Sequence, residues 1–130
     1  MWIASSYGYF SIVEKKNKYY VRARKIEDLI YLLEATGLSN EILQFAGTDY
    51  IARIIVTKEE LNVIRDTLFD SITYPNFKSK IQQTRTQVDK LKHYNNVWWE
   101  MLDYQVKHHH SNYLDDIEHQ LSYYEDEDLS

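Results

Sequence analysis

The chain contains no cysteine. That excludes disulfide staples, thiolate-held metal ions and a cysteine nucleophile. It also fits a reducing compartment, and a cytoplasmic protein is expected. No apolar run reaches the length needed to cross a bilayer. The opening residues MWIASSYGYFSIV lack the basic region and cleavage pattern of a secretory signal. There is no Walker loop, no GxGxxG fingerprint and no nucleophile elbow. Carboxylates and histidines do not cluster at metal-ligand spacing, so no metal and no other cofactor is expected, and two-metal nuclease chemistry is disfavoured. The adjacent histidines 108–110 are no exception, because neighbouring residues point in different directions.

What is present is one domain's worth of chain with an uneven charge. At 130 residues it can bury a moderate core without staples. Fifteen bases against thirteen acids leave residues 1–110 at about +2, and the last twenty residues carry −7. An α+β domain over 1–106 and a polar, acidic extension over 107–130 are expected. A short helix through Tyr113, Leu114, Ile117, Leu121 and Tyr124 is compatible with the extension's spacing. No basic stripe is evident, so duplex nucleic acid is not an expected partner, and neither is a membrane. A small anionic ligand needs only a few well-placed cations. Twelve tyrosines and three tryptophans suit a core, an interface or a floor for stacked bases.

The periods alternate between strand and helix. Residues 2–13 form a β-favouring run, with Gly8 marking a bulge or the close approach of another group. Lys15–Lys18 is a turn. Tyr19–Lys25 alternates, Val21 and Ala23 facing one way and Arg22 and Arg24 the other. Such arginines are ordinarily solvated, and their alternative is a phosphate-binding pair. Ile26, Leu29, Ile30 and Leu33 make a short helix ended by Gly37. Glu41–Phe45 and Tyr50–Val56 read as strands around a turn at 46–49, the second buried on both faces except at Arg53. Thr57 and Glu60 make a capping box for a helix that carries Leu61, Ile64 and Leu68 inward to about Asp70. The order ββαββαα predicts a four-stranded, mainly antiparallel sheet with helices on one face.

The longest regular stretch runs from Tyr74 to Leu102. Phe77, Ile81, Thr84, Val88, Leu91, Asn95, Trp98 and Leu102 step by four and three, which predicts one long helix from Pro75. Thr73 or Tyr74 is its expected cap. Asn76 and Lys78 in the first turn would lie where a phosphate can bind. His93, Tyr94 and Trp98 cluster further along. One of Trp98 and Trp99 is not expected to face the chain's own core, so a homodimer surface is anticipated.

Five motifs follow one another: Gly8-Tyr9-Phe10-Ser11-Ile12-Val13; Val21-Arg22-Ala23-Arg24; Gly47-Thr48-Asp49-Tyr50 with Arg53; Tyr74-Pro75-Asn76-Phe77-Lys78; and Tyr94 with Val97-Trp98. In these motifs residues 1–102 resemble a widespread family of small bacterial proteins whose function is uncharacterised. More weakly, the chain resembles small CRISPR-associated ring nucleases without a CARF domain, which degrade cyclic oligoadenylate messengers. That resemblance implies a dimer holding a cyclic nucleotide across a positively lined cleft.

The motif residues able to carry such a function are Arg22, Arg24, Thr48, Asp49, Tyr50, Arg53, Asn76, Lys78, His93 and Tyr94. Metal-free cleavage would have a ribose 2′-hydroxyl attack its own phosphate in line. Arg24 and Lys78, with Arg22 and Arg53, would neutralise the phosphoryl oxygens, and His93 would act as base or acid. Thr48, Asp49, Tyr50, Asn76 and Tyr94 would contact the ligand. The same residues also suit a module that binds a nucleotide without chemistry. A protein-interaction domain using the tryptophans and the acidic tail is a third reading.

Overall fold

The computed structural model describes residues 1–45 and 48–109. Ala46 and Gly47 of the expected turn, His110 and the acidic extension to Ser130 lie outside the described residues. The chain is α+β and divides into two compact units, one of residues 1–73 and one that begins at Tyr74. The boundary falls within the stretch expected as a single domain.

The first unit is one antiparallel sheet with two helices. Its elements are β1 (Trp2–Ala4), β2 (Tyr9–Lys15), β3 (Lys18–Ala23), α1 (Ile26–Thr36), β4 (Leu43–Gln44), β5 (Ala52–Val56) and α2 (Lys58–Asp70). The sheet order is β1-β2-β3-β5-β4. Among the described residues there are thus five strands, not the expected four, because residues 2–13 form two strands. Ser5 breaks the run: its N–H and Oγ–H both donate to Gly8 O, at 3.0 and 2.8 Å, and Gly8 N–H returns a bond to Ser5 Oγ. The strand expected over Glu41–Phe45 shrinks to Leu43–Gln44, paired to Arg53 and Ala52. Lys16 and Asn17 turn the β2–β3 hairpin with positive φ, as a tight two-residue loop demands.

Alternation decides the two faces of this sheet. Phe10, Val21, Ala23, Ala52, Ile54 and Val56 point to one side and are buried there against Leu29 and Leu32 of α1 and Ile64 and Leu68 of α2. Gly37 ends α1 in the left-handed region at φ 74°, donating to Leu33 O. Thr57 and Glu60 form the expected capping box at α2. The other side of the sheet carries a row in register across all five strands: Trp2, Ser11, Arg22, Arg53 and Leu43.

The second unit corrects the single long helix. It contains α3 (Phe77–Gln82), a 3₁₀ turn at Val88–Lys90 and α4 (Leu91–Lys107). Asn76 is the cap, its Oδ1 accepting from Ser79 N–H at 2.9 Å, and Pro75 stands outside the helix. Asparagine offers the side-chain acceptor that a helix start needs, which Tyr74 does not. The helix stops where Thr84 turns its hydroxyl back on Lys80 O. Across the break the stripe loses its phase. Gln87 is fully buried in place of Val88, which is exposed.

Candidate functional site

Within the first unit, Arg22, Arg24 and Arg53 stand on or beside the side of the sheet away from the helices. Arg22 and Arg53 are directly opposite each other in the β3–β5 register. Like charges in that position repel. No carboxylate among the described residues pairs with Arg22, Arg24 or Arg53. The arginines are ordered instead by neutral partners. Arg22 Nη2–H donates to Ser11 Oγ at 2.7 Å. Arg24 Nη1–H donates to the carbonyl of Asp49. Arg53 Nη2–H reaches Thr48 Oγ1 at 3.2 Å and Tyr50 O at 3.4 Å.

Aromatic rings hold the guanidinium planes. The Tyr50 ring, only 6% exposed, lies 4.6 Å from Arg22 Cζ and 4.2 Å from Arg24 Cζ. Arg53 Cζ lies 4.9 Å from the Phe45 ring. Such contacts fix orientation without neutralising charge. Each guanidinium is a fork of N–H donors, and only part of each fork is used. The Nε atoms of Arg22 and Arg53 are buried and have no hydrogen-bond partner. Burial raises the Tyr9 phenol's pKa, neighbouring Tyr50 adds to the rise, and Arg24 pulls against it. Tyr9 is therefore an O–H donor at neutral pH beside this cluster.

The bend that holds Tyr50 is itself braced. Thr48 Oγ1–H donates to Tyr50 O at 2.6 Å, with Phe45 O also near at 3.0 Å. Phe45 N–H donates to Ile51 O. Of the residues singled out from sequence, the first unit thus brings together Arg22, Arg24, Thr48, Tyr50 and Arg53, with Asp49 contributing its backbone carbonyl. Sequence reasoning missed Ser11, Tyr9 and Phe45 as supports. Ser11 and Tyr9 follow from strand register, since the residue opposite Arg22 on β2 is Ser11.

The remaining candidates belong to the second unit. Asn76 is 3% exposed and spends its Oδ1 on the cap. Lys78 Nζ lies over the Trp98 ring at 4.6 Å. The Tyr94 ring is 5.1 Å from that of Phe77. His93 is exposed on α4. Trp99 makes an edge contact with Trp98 and is 62% exposed, as expected for one of the pair. Among the described residues no group of three or more histidines or carboxylates is placed to hold a metal ion, and no helix is long and apolar enough to cross a membrane. Comparison with family models, with curated proteins and with solved structures returns no match.

Proposed function

We propose that this protein binds a small phosphorylated ligand, a cyclic oligonucleotide or related nucleotide, on the side of its sheet opposite α1 and α2. One observation carries the reading. Arg22 and Arg53 are held directly opposite each other, with no acidic counter-charge among the described residues. A sheet built only for stability gains nothing from that repulsion. An anion between the forks relieves it and takes up the unused donors, and guanidinium–phosphate pairing is well matched in geometry.

The ligand is bound without being cleaved. Residues 1–73 contain no histidine, and the groups beside the arginines are hydroxyls, phenols and backbone carbonyls. The arginines neutralise a phosphate and the hydroxyls help to position it, but none of these groups is a base poised near neutral pH. His93, the acid–base candidate for cleavage, and Lys78, a candidate to neutralise charge, belong to the unit that begins at Tyr74.

The test is calorimetric titration of the full chain with pyrophosphate and with a cyclic oligoadenylate in EDTA, followed by chromatography of the recovered ligand. Binding with intact ligand is the expected result. Cleaved ligand would replace the binding reading with the ring-nuclease one. Absence of heat with both ligands at low salt would reject a phosphate site altogether.

A further inference from the structure

We infer that Trp2 is a stacking platform for a base, so that the ligand of the arginine face is a nucleotide with an unpaired base and not a bare phosphate or sugar phosphate. The inference rests on the phosphate site proposed above. Trp2 pairs with Ser11, Ser11 with Arg22, and Arg22 with Arg53, so all four side chains stand on the same side of the sheet. The neighbour Ile3 pairs with Phe10 and packs on the core, which turns Trp2 the other way. Trp2 is 74% exposed, a large apolar ring left in water in the same cross-strand row as Arg22 and Arg53.

Strands in a sheet lie about 4.8 Å apart, so the Trp2 and Arg22 backbones are separated by about 10 Å. The Arg22 guanidinium closes part of that gap by leaning onto Ser11 on the intervening strand. A phosphate on Arg22 therefore leaves roughly one strand's width to the indole, the room a ribose fills between a phosphate and its base. Stacking on an indole suits any base, because every base offers a π face. A base paired inside a duplex has no free face to offer, which restricts the ligand to mononucleotides, cyclic oligonucleotides and single strands.

The experiment compares adenosine 5′-monophosphate with ribose 5-phosphate, which differ only by the base, on the full chain and on Trp2→Ala. Because Trp2 is exposed, its removal leaves the core intact. The wild type is expected to bind the nucleotide roughly tenfold to a hundredfold more tightly than the sugar phosphate, and Trp2→Ala to abolish that difference. Ribose 5-phosphate itself should bind both proteins equally. Equal affinity of the wild type for the two ligands, or a preference that survives Trp2→Ala, overturns the platform while leaving the arginine site standing. Failure of both ligands and of pyrophosphate to bind removes the arginine site, and the platform with it.

Discussion

Replacing Gly8 with alanine tests the tightest constraint in the sheet unit. A Cβ at Gly8 would stand 2.5 Å from both Cβ and Cγ of Asp28 and 2.9 Å from its Oδ2. Neither side can yield easily. Gly8 is tied to Ser5 through its N–H and its carbonyl. Asp28 is 1% exposed in the first turn of α1, and its Oδ2 accepts from Tyr9 N–H at 3.2 Å. The methyl group must therefore push the start of α1 off the sheet or break the carboxylate's bond to Tyr9. Overpacking costs about 1–3 kcal/mol, and losing a hydrogen bond to a buried charged group costs about 1.5–3 kcal/mol more. Where both occur the expected loss is about 2.5–6 kcal/mol, a large share of a domain's usual stability. Urea denaturation followed by circular dichroism should show a midpoint lowered by roughly 2 M. In the double variant with Asp28→Gly the clashing Cβ and Cγ are both gone, so the two losses should fall short of additive. A Gly8→Ala midpoint equal to wild type would mean that α1 shifts freely, and the close approach would then constrain nothing.

Two further predictions concern helix starts. The Glu60 carboxyl is held below its ordinary pKa, chiefly by the backbone N–H of Thr57. A depressed carboxylate stabilises the fold above its unfolded pKa and loses that contribution as pH falls through the folded value. Wild-type stability should therefore drop below about pH 4.3 by more than that of Glu60→Gln, compared by thermal unfolding across pH 3–7; parallel profiles would contradict this. In the second unit, Asn76→Ala should cost about 1 kcal/mol by uncapping α3. Asn76→Ser keeps an acceptor for Ser79 N–H and deletes a buried Nδ2 that has no partner, so it should cost less than alanine in the same melts. Equal melting temperatures for the two variants would show that the cap contributes nothing.

Local chemistry was legible in the sequence, and register was not. YYVRARK announced its two faces: Val21 and Ala23 are fully buried, and Arg22 lies on the opposite side. The Thr57–Glu60 box and the Gly37 stop were readable because each is a contact within one turn. The long-helix expectation failed for a local reason too subtle for periodicity. Thr84 fits the apolar stripe by spacing, but its hydroxyl bonds Lys80 O, and the chain leaves the helix there. Two strands in residues 2–13 looked like one, because the Ser5 turn has no proline and its glycine stands at the end. The site was half visible. Alternation marked Arg22 and Arg24, and Arg53 stood out in an apolar strand. The facing of Arg22 by Arg53, and of both by Ser11 and Trp2, depends on pairings between distant strands that no local pattern encodes.

Arg22 and Arg53, register partners on the side of the sheet opposite α1 and α2, are proposed to hold a phosphate. The most direct measurement is the affinity of pyrophosphate for the wild type and for Arg22→Gln/Arg53→Gln by calorimetry at low and at physiological salt. Wild-type binding should weaken as salt rises, and it should be lost in the variant while circular dichroism and melting temperature stay near wild type. Undiminished binding by the variant, or none by the wild type at low salt, would contradict it.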